Sequence, residues 1–498
     1  MKRSKHSLSH YRLTTLNQGE LYPCACIEVL PGDTFRHQSS VLLRVAPLVA
    51  PVMHPVHVSV HSWFVPARLV WNGWEDFITG VDRETMLPIV EIDSADTAGI
   101  AFAQALGVGI GTETLSLNAL PFRAYNMIWN EYYRDQDLNT PLTVAIGDGP
   151  DDIADYSIRS VSWEKDYFTT ARPFPQQGED TEVVQLSLSG EVPIRGIGKS
   201  TSTQATGPVN SRESTQEIEE YANYRPIDGT DAAETFYVEA NPANNAYPYI
   251  RADMSDLTAG GVHMDINAWR RSMAMQRMRE HRNRFGSRYR DMLAFLGINS
   301  SDARLQRPEY LGGGRQTVAW SEVLSTAETE GAALGALAGH GIAALRTRPY
   351  RRFFEEHGYI LTMMNVRPKT IYTSQVPRTF LRREYDDFWQ KELEMMGEQP
   401  VSNVEIYSDA TAPNDVFGYV PRHDEYRFCP SFVSGEFRTT LDDWHLARVF
   451  DSQPVLNGTF VGCDPADRIY VSTATDQLQA MIAHRIAARR LVTRRARN

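Results

Sequence analysis

Arginine and lysine gather at the two ends of this chain with no acid among them. Residues 1–19 hold Lys2, Arg3, Lys5 and Arg12, and residues 485–498 hold Arg485, Arg489, Arg490, Arg494, Arg495 and Arg497. Clusters of this kind neutralise phosphates without reading a base sequence, and guanidinium planes also stack on unpaired bases. The full chain carries 50 basic and 62 acidic residues for a net −12, so without those ten cations the rest holds 40 basic against 62 acidic residues, a net −22. Basic ends on an acidic body predict segregation, with tails that meet a polyanion and a body that faces solvent. The candidate nucleic-acid contacts are Lys2, Arg3, Lys5, Arg485, Arg489, Arg490, Arg494, Arg495 and Arg497.

Other chemistry-bearing groups are weaker. His54, His57 and His61 invite a cupin-like metal reading. Yet positions 57 and 61 on an extended strand lie about 13 Å apart, too far to share one ion, and Pro55 separates His54 from both. Cys24-Ala25-Cys26 has no second pair at ligand spacing, and four cysteines are too few for a disulfide framework. Gly196-Ile197-Gly198-Lys199-Ser200 looks like half a phosphate loop, but Pro193 stands where the first glycine belongs. Neither Gly-x-Ser-x-Gly nor His-Glu-x-x-His occurs, and no catalytic constellation or cofactor site emerges. Residues 265–296 carry eight arginines against Asp265, Glu280 and Asp291, which suits a subunit interface as well as it suits DNA.

The elements that must position these groups read mainly as β. Pro31-Gly32-Asp33 is turn chemistry ahead of a strand over Thr34–Val45. Residues 56–65 alternate, with Val56, Val58, Val60 and Phe64 on one face and His57, Ser59, His61 and Trp63 on the other. Further strands are expected over Val183–Ser189, Glu234–Glu239, Val318–Leu324, Tyr359–Val366, Val404–Tyr407, Phe417–Val420 and Ile469–Ser472. Helices are expected over 70–79, over 121–135 with its aromatic stripe from Tyr125 to Tyr133, and over 265–296. A last helix is expected from Asp476, docking through Leu478, Met481, Ile482 and Ile486 and leaving a free basic arm within 475–498. Residues 1–19 form a basic amino-terminal arm, and residues 80–115 and the polar stretch 190–260 are surface insertions of one 498-residue domain. No apolar run follows the amino-terminal cations as a secretory signal would require, and the weakly polar stretch from Ala332 to Leu345 is too short for a membrane span.

The order of these motifs resembles the major capsid protein of the Microviridae, the tailless icosahedral single-stranded-DNA bacteriophages. The likeness runs through Val29–Phe35, Phe64–Arg68, Trp74–Phe77, Pro121–Asn126, Arg134–Leu138, Arg304–Gly313, Gly397–Val401, Phe417–Tyr419 and Gly435–Arg438. It implies an eight-stranded antiparallel jelly roll of viral capsid type with long inserted loops and several helices. Sixty copies would close a T=1 icosahedral shell around a circular single-stranded DNA genome. The partners implied are the chain itself, the DNA, a small basic packaging protein and a host-surface receptor, with synthesis in the host cytoplasm and no enzymatic activity. A jelly-roll metalloenzyme or carbohydrate-binding protein is the alternative that the β pattern and the three histidines suggest.

Overall fold

The structure is a computed structural model that describes residues 3–81, 86–93, 96–109, 111, 113–176, 266–324, 337–394 and 397–493, with the backbone of short strands between 194 and 252. The chain divides into two compact units, residues 1–179 with 279–498, and residues 180–278.

Two antiparallel sheets form the frame of the first unit. Their longest strands are β1 (His10–Leu16), β2 (Tyr22–Val29), β3 (Thr34–Val45), β4 (Val56–Pro66), β5 (Glu309–Thr317), β6 (Leu337–Arg346), β7 (Gly358–Pro368) and β8 (Leu478–Arg490). The first sheet runs β1-β8-β3-β6, with Ser4–Ser7 also on β8, Tyr350–Phe353 on β3 and Ala319–Leu324 on β6. The second runs β5-β4-β7-β2. Alternation of side chains puts Val41, Leu43, Leu345 and Ile482 of the first sheet in one buried cluster with Val58, Val60, Met364 and Val366 of the second. The opposite face of the second sheet is covered too. Trp63, Val65, Leu361 and Met363 pack there against Phe102 of the helix Thr97–Leu106 and Phe122, Tyr125 and Ile128 of the helix Leu120–Ile128. The first sheet's outer face carries no such layer among the described residues, so its outward side chains meet solvent.

Local chemistry explains the turns. Gly32 takes a φ of 84°, and Asp33 closes the turn with its amide on the Leu30 carbonyl at 3.0 Å and its carboxylate accepting from the Leu30 amide at 3.0 Å. A Cβ at Gly313 would sit 2.4 Å from the Val60 carbonyl oxygen, so β5 reaches β4 there only as glycine.

Several expected elements differ. The helix expected from Asp476 is strand β8, in which Leu478, Ala480, Ile482, His484, Ile486 and Ala488 are buried at every second position. The amino-terminal arm is not free in its described part, because Ser4–Ser7 and β1 both pair with β8. Residues 265–296 hold two helices, Ile266–Phe285 and Tyr289–Phe295, broken at Gly286 with φ 107°. Val404–Tyr407 is helical over Asn403–Ile406, where Ser402 and Glu405 form a capping box, and Ile469–Ser472 holds the end of a 3₁₀ turn, Asp467–Ile469, and an isolated antiparallel bridge from Tyr470 to Leu48 in place of a full strand. The helix over 70–79 is two short ones, Ala67–Val70 and Trp74–Thr79. The 80–115 insertion is partly core, since Val90, Ile92 and Phe102 are buried. Val183–Ser189 lies outside the described residues, as does much of 190–260. Within that stretch the second unit pairs Val209–Arg212 with Ile218–Tyr221, and Tyr237–Val238 with Ile197–Gly198.

Candidate nucleic-acid interface

The open face of the first sheet collects cations from four places in the sequence. Residues directly opposite in antiparallel strands share a face. Lys5 lies opposite Arg489, which lies opposite Thr34, which lies opposite Phe353. In the next outward row Arg36 stands between Ala487 and Arg351. Beyond it Arg485 faces Gln38, and Arg346 faces Ser40. Lys5, Arg36, Arg346, Arg351, Arg485 and Arg489 are all exposed. Arg3 joins them at the rim, donating to the Gly32 carbonyl at 2.9 Å and lying over the Phe353 ring at 5.4 Å.

Two depressions mark this face. One of about 260 Å³ is lined by Arg3, Lys5, Thr34, Arg351 and Arg489. The other takes in Lys5, Arg36, Arg346 and Arg485, and no carboxylate lines either among the described residues. Lys5 beside Arg489 and Arg36 beside Arg351 are like-charged cross-strand pairs, which cost up to about 1 kcal/mol each. An anion laid across the face would remove that cost. Toward the far end the same sheet face exposes apolar side chains, with Tyr11 and Leu13 each 78% exposed and Met481 41% exposed.

Beneath the cations lies a neutral polar layer. His37 Nδ1 is 2.9 Å from Tyr350 Oη and His37 Nε2 is 3.3 Å from His484 Nδ1, while Ser39 Oγ lies 3.1 and 3.0 Å from the same two ring nitrogens. Burial pushes His37 down to about 4 and His484 to about 3, with the neighbouring histidines adding to both shifts. Both rings are therefore neutral at pH 7. On β1, Arg12 donates to the carbonyls of Cys24, Gln104 and Ala105, which ties that strand to its surroundings.

Of the residues singled out from sequence, Arg3, Lys5, Arg485 and Arg489 come together on this face. Arg490 does not. It lies on the opposite side of β8, 2.9 Å from the fully buried Asp33 carboxylate and over the Phe35 ring at 5.2 Å, so it is a structural cation. Lys2, Arg494, Arg495 and Arg497 lie outside the described residues. Arg36, Arg346 and Arg351 were missed. Their signals were the outward phase of the Thr34–Val45 alternation and the four arginines between 346 and 352. In the arginine-rich helical segment, Arg284 lies 3.4 Å from Glu398, and Arg288 donates to the carbonyls of Glu131 and Asn130, which are contacts within the chain.

The three histidines go separate ways. His54 contacts the Lys369 carbonyl at 2.8 Å, His57 the Thr317 hydroxyl at 3.2 Å and His61 the Tyr133 hydroxyl at 2.8 Å. Burial pushes the Cys24 and Cys26 thiols up to about 12, which keeps them protonated.

A family model described as "Capsid protein (F protein)" matches residues 1–496. The capsid protein VP1 of Bdellovibrio phage phiMH2K is 32% identical, the match covering 95% of this chain and 90% of the relative. That of Chlamydia phage 1 is 31% identical over 94% of this chain and 90% of its own length. That of Spiroplasma virus 4 is 26% identical over 95% and 90%.

Proposed function

From the premise that this chain belongs to the F-protein family of phage capsid proteins and is a major capsid protein, we propose that sixty copies build a T=1 shell around circular single-stranded DNA, with the basic sheet face turned toward the genome. The observation that carries the DNA assignment is the row of cations, Arg3, Lys5, Arg36, Arg346, Arg351, Arg485 and Arg489, on the open side of the first sheet, in depressions that no carboxylate lines among the described residues. Phosphates supply what those like-charged pairs lack, and Tyr11 and Phe353 offer stacking surface to unpaired bases.

The strand order supports the jelly-roll reading. Pairing β1-β8-β3-β6 in one sheet and β2-β7-β4-β5 in the other is the order of two interlocked Greek keys. The role is containment rather than catalysis. Synthesis in the host cytoplasm precedes assembly, and the 190–260 insertion is the receptor-facing part. Seven cations on sixty copies bring on the order of 400 positive charges, far short of the phosphates of a genome of thousands of nucleotides. A small basic packaging protein or soluble cations make up the difference.

The test is the salt dependence of single-stranded DNA binding by the full chain. Seven phosphate contacts give a slope of log K against log salt of about −5, and the double substitution Arg485→Ser, Arg489→Ser reduces it to about −3.5. Fluorescence anisotropy with a labelled oligothymidylate reads this directly. An unchanged slope in the double variant would take this face off the DNA.

A further inference from the structure

We propose that the aromatic surface carried by residues 378–394 and 422–432 is a contact between copies of this chain, seated against a second copy in the assembled shell. The inference rests on the capsid reading for self-assembly and adds which surface does it.

Seven aromatic side chains stand out from these two segments. Phe380 is 80% exposed, Tyr385 83%, Phe388 51%, Trp389 49%, Tyr426 53%, Phe428 54% and Phe432 63%. At the area each ring can bury, the exposed parts sum to roughly 800 Å², the share one partner contributes to a standard interface. A lone soluble chain rarely leaves so much apolar surface uncovered.

The surface is also held rigid, which separates an anchor from a loose loop. Arg382 lies 4.4 Å under the Tyr426 ring and 5.4 Å from the Phe388 ring, and it donates to Glu425 at 3.1 Å. The Tyr426 hydroxyl accepts from the Trp389 amide at 3.3 Å, which joins the two segments. Asp387 accepts from the Arg383 and Glu384 amides at 2.8 and 3.0 Å, fixing the 3₁₀ turn that presents Tyr385. Below them, Val401, Ile406, Phe417 and Val420 belong to a buried cluster of their own. Anchors already ordered before docking lose little entropy when they dock, and aromatics with arginine are the residues that dominate binding energy.

The rim identifies the occupant. Exposed Arg383 neighbours exposed Glu384, and exposed Lys391 neighbours exposed Glu392, so exposed charges of both signs lie in the same segment as four of the aromatics. A rim of mixed charge is complementary to a second copy of itself, whereas a nucleic acid would demand a cationic one.

Hydroxyl-radical footprinting of assembled particles against dissociated subunits tests this. Oxidation of Phe380, Tyr385 and Trp389 is expected to fall at least tenfold on assembly. Equal oxidation in particles and subunits overturns the assignment. In parallel, Tyr385→Ser with Trp389→Ser is expected to raise the concentration needed for assembly at least tenfold while the far-ultraviolet circular dichroism of the subunit is unchanged. Assembly at the wild-type concentration overturns the assignment as well. If the variant fails to fold, footprinting of the wild type decides. Wild-type chain that forms no multimer refutes self-assembly itself, whereas multimers whose patch stays reactive refute this surface alone.

Discussion

Replacing Glu398 by glutamine is expected to stabilise the subunit at pH 8 and to leave it unchanged at pH 4.5. Glu398 opens the strand Glu398–Ser402, which pairs with Val416–Pro421 beneath the aromatic surface. Its side chain is 2% exposed, and Arg284 reaches it at a long 3.4 Å. Burial is the main reason its carboxyl is lifted from the ordinary 4.5 to about 7; Arg284 opposes the lift, and Glu280 and Asp424 add to it. A folded value above the unfolded one means that the protonated form is favoured by folding. The stabilisation is therefore complete below pH 4.5, shrinks as pH rises, and is gone above 7. A lift of about 2.5 pH units at about 1.36 kcal/mol each amounts to about 3 kcal/mol. The Arg284 contact does not reverse this, since that guanidinium is 27% exposed and a pair of such length returns about 1 kcal/mol at most. Glutamine keeps the shape and stays neutral, so the variant should gain 2 to 3 kcal/mol, on the order of the full lift, at pH 8. Urea unfolding of the dissociated full chain at pH 4.5 and 8, followed by tryptophan fluorescence, measures the difference. A glutamine variant no more stable than the parent at pH 8 would show that the ion pair outweighs desolvation, and the reasoning fails.

The buried histidines run the other way. His37 has a folded value pushed down to about 4 from 6.5, so stability present above pH 6.5 is lost as pH falls toward 4, by about 2 kcal/mol at pH 5 from this ring. His37→Gln should shrink the loss between pH 7 and 5 by that amount in urea titrations, and an unchanged loss would clear His37 of the effect. Arg123 is fully buried and donates to both Asp151 carboxylate oxygens at 2.7 and 2.6 Å and to the carbonyls of Val70 and Gly147. Arg123→Met should cost about 3 to 5 kcal/mol by stranding Asp151; thermal unfolding would show it, with Arg123→Met, Asp151→Asn recovering part, and a neutral single variant would refute it.

What sequence made legible here was local. Strands β3 and β4 could be read because one turn and a period of two are written within a dozen residues. Strand β8 could not. Leu478, Ile482 and Ile486 are spaced by four, which fits a helix face and also a strand face, since four is twice two. The positions between them that would have decided, Ala480, His484 and Ala488, are weakly apolar, and only pairing with β3 fixes the choice. The same parity separates Arg489 from Arg490. A helical arm leaves both free, but a strand sends one to the open face and the other to Asp33. Arg36, Arg346 and Arg351 escaped because their neighbourhood is built across some three hundred residues of chain, which no window along the sequence contains.

The placement of the acids makes the basic face informative. This chain has 62 of them, and it pairs other sheet and loop arginines readily: Arg352 with Glu309 at 2.7 Å, Arg68 with Glu356 at 2.6 Å, Arg382 with Glu425 at 3.1 Å. Arg352 sits one residue from Arg351, yet the first finds a carboxylate and the second faces Arg36. Scarcity of acids cannot account for the difference. Replacing any outward neutral residue of the sheet, Gln38 or Ser40 for instance, with glutamate would pair these cations and relieve up to about 1 kcal/mol of repulsion per pair. A free-standing sheet would gain from that exchange. A sheet whose counter-charge arrives as phosphate would lose by it, because the new carboxylate would repel the ligand that completes the face.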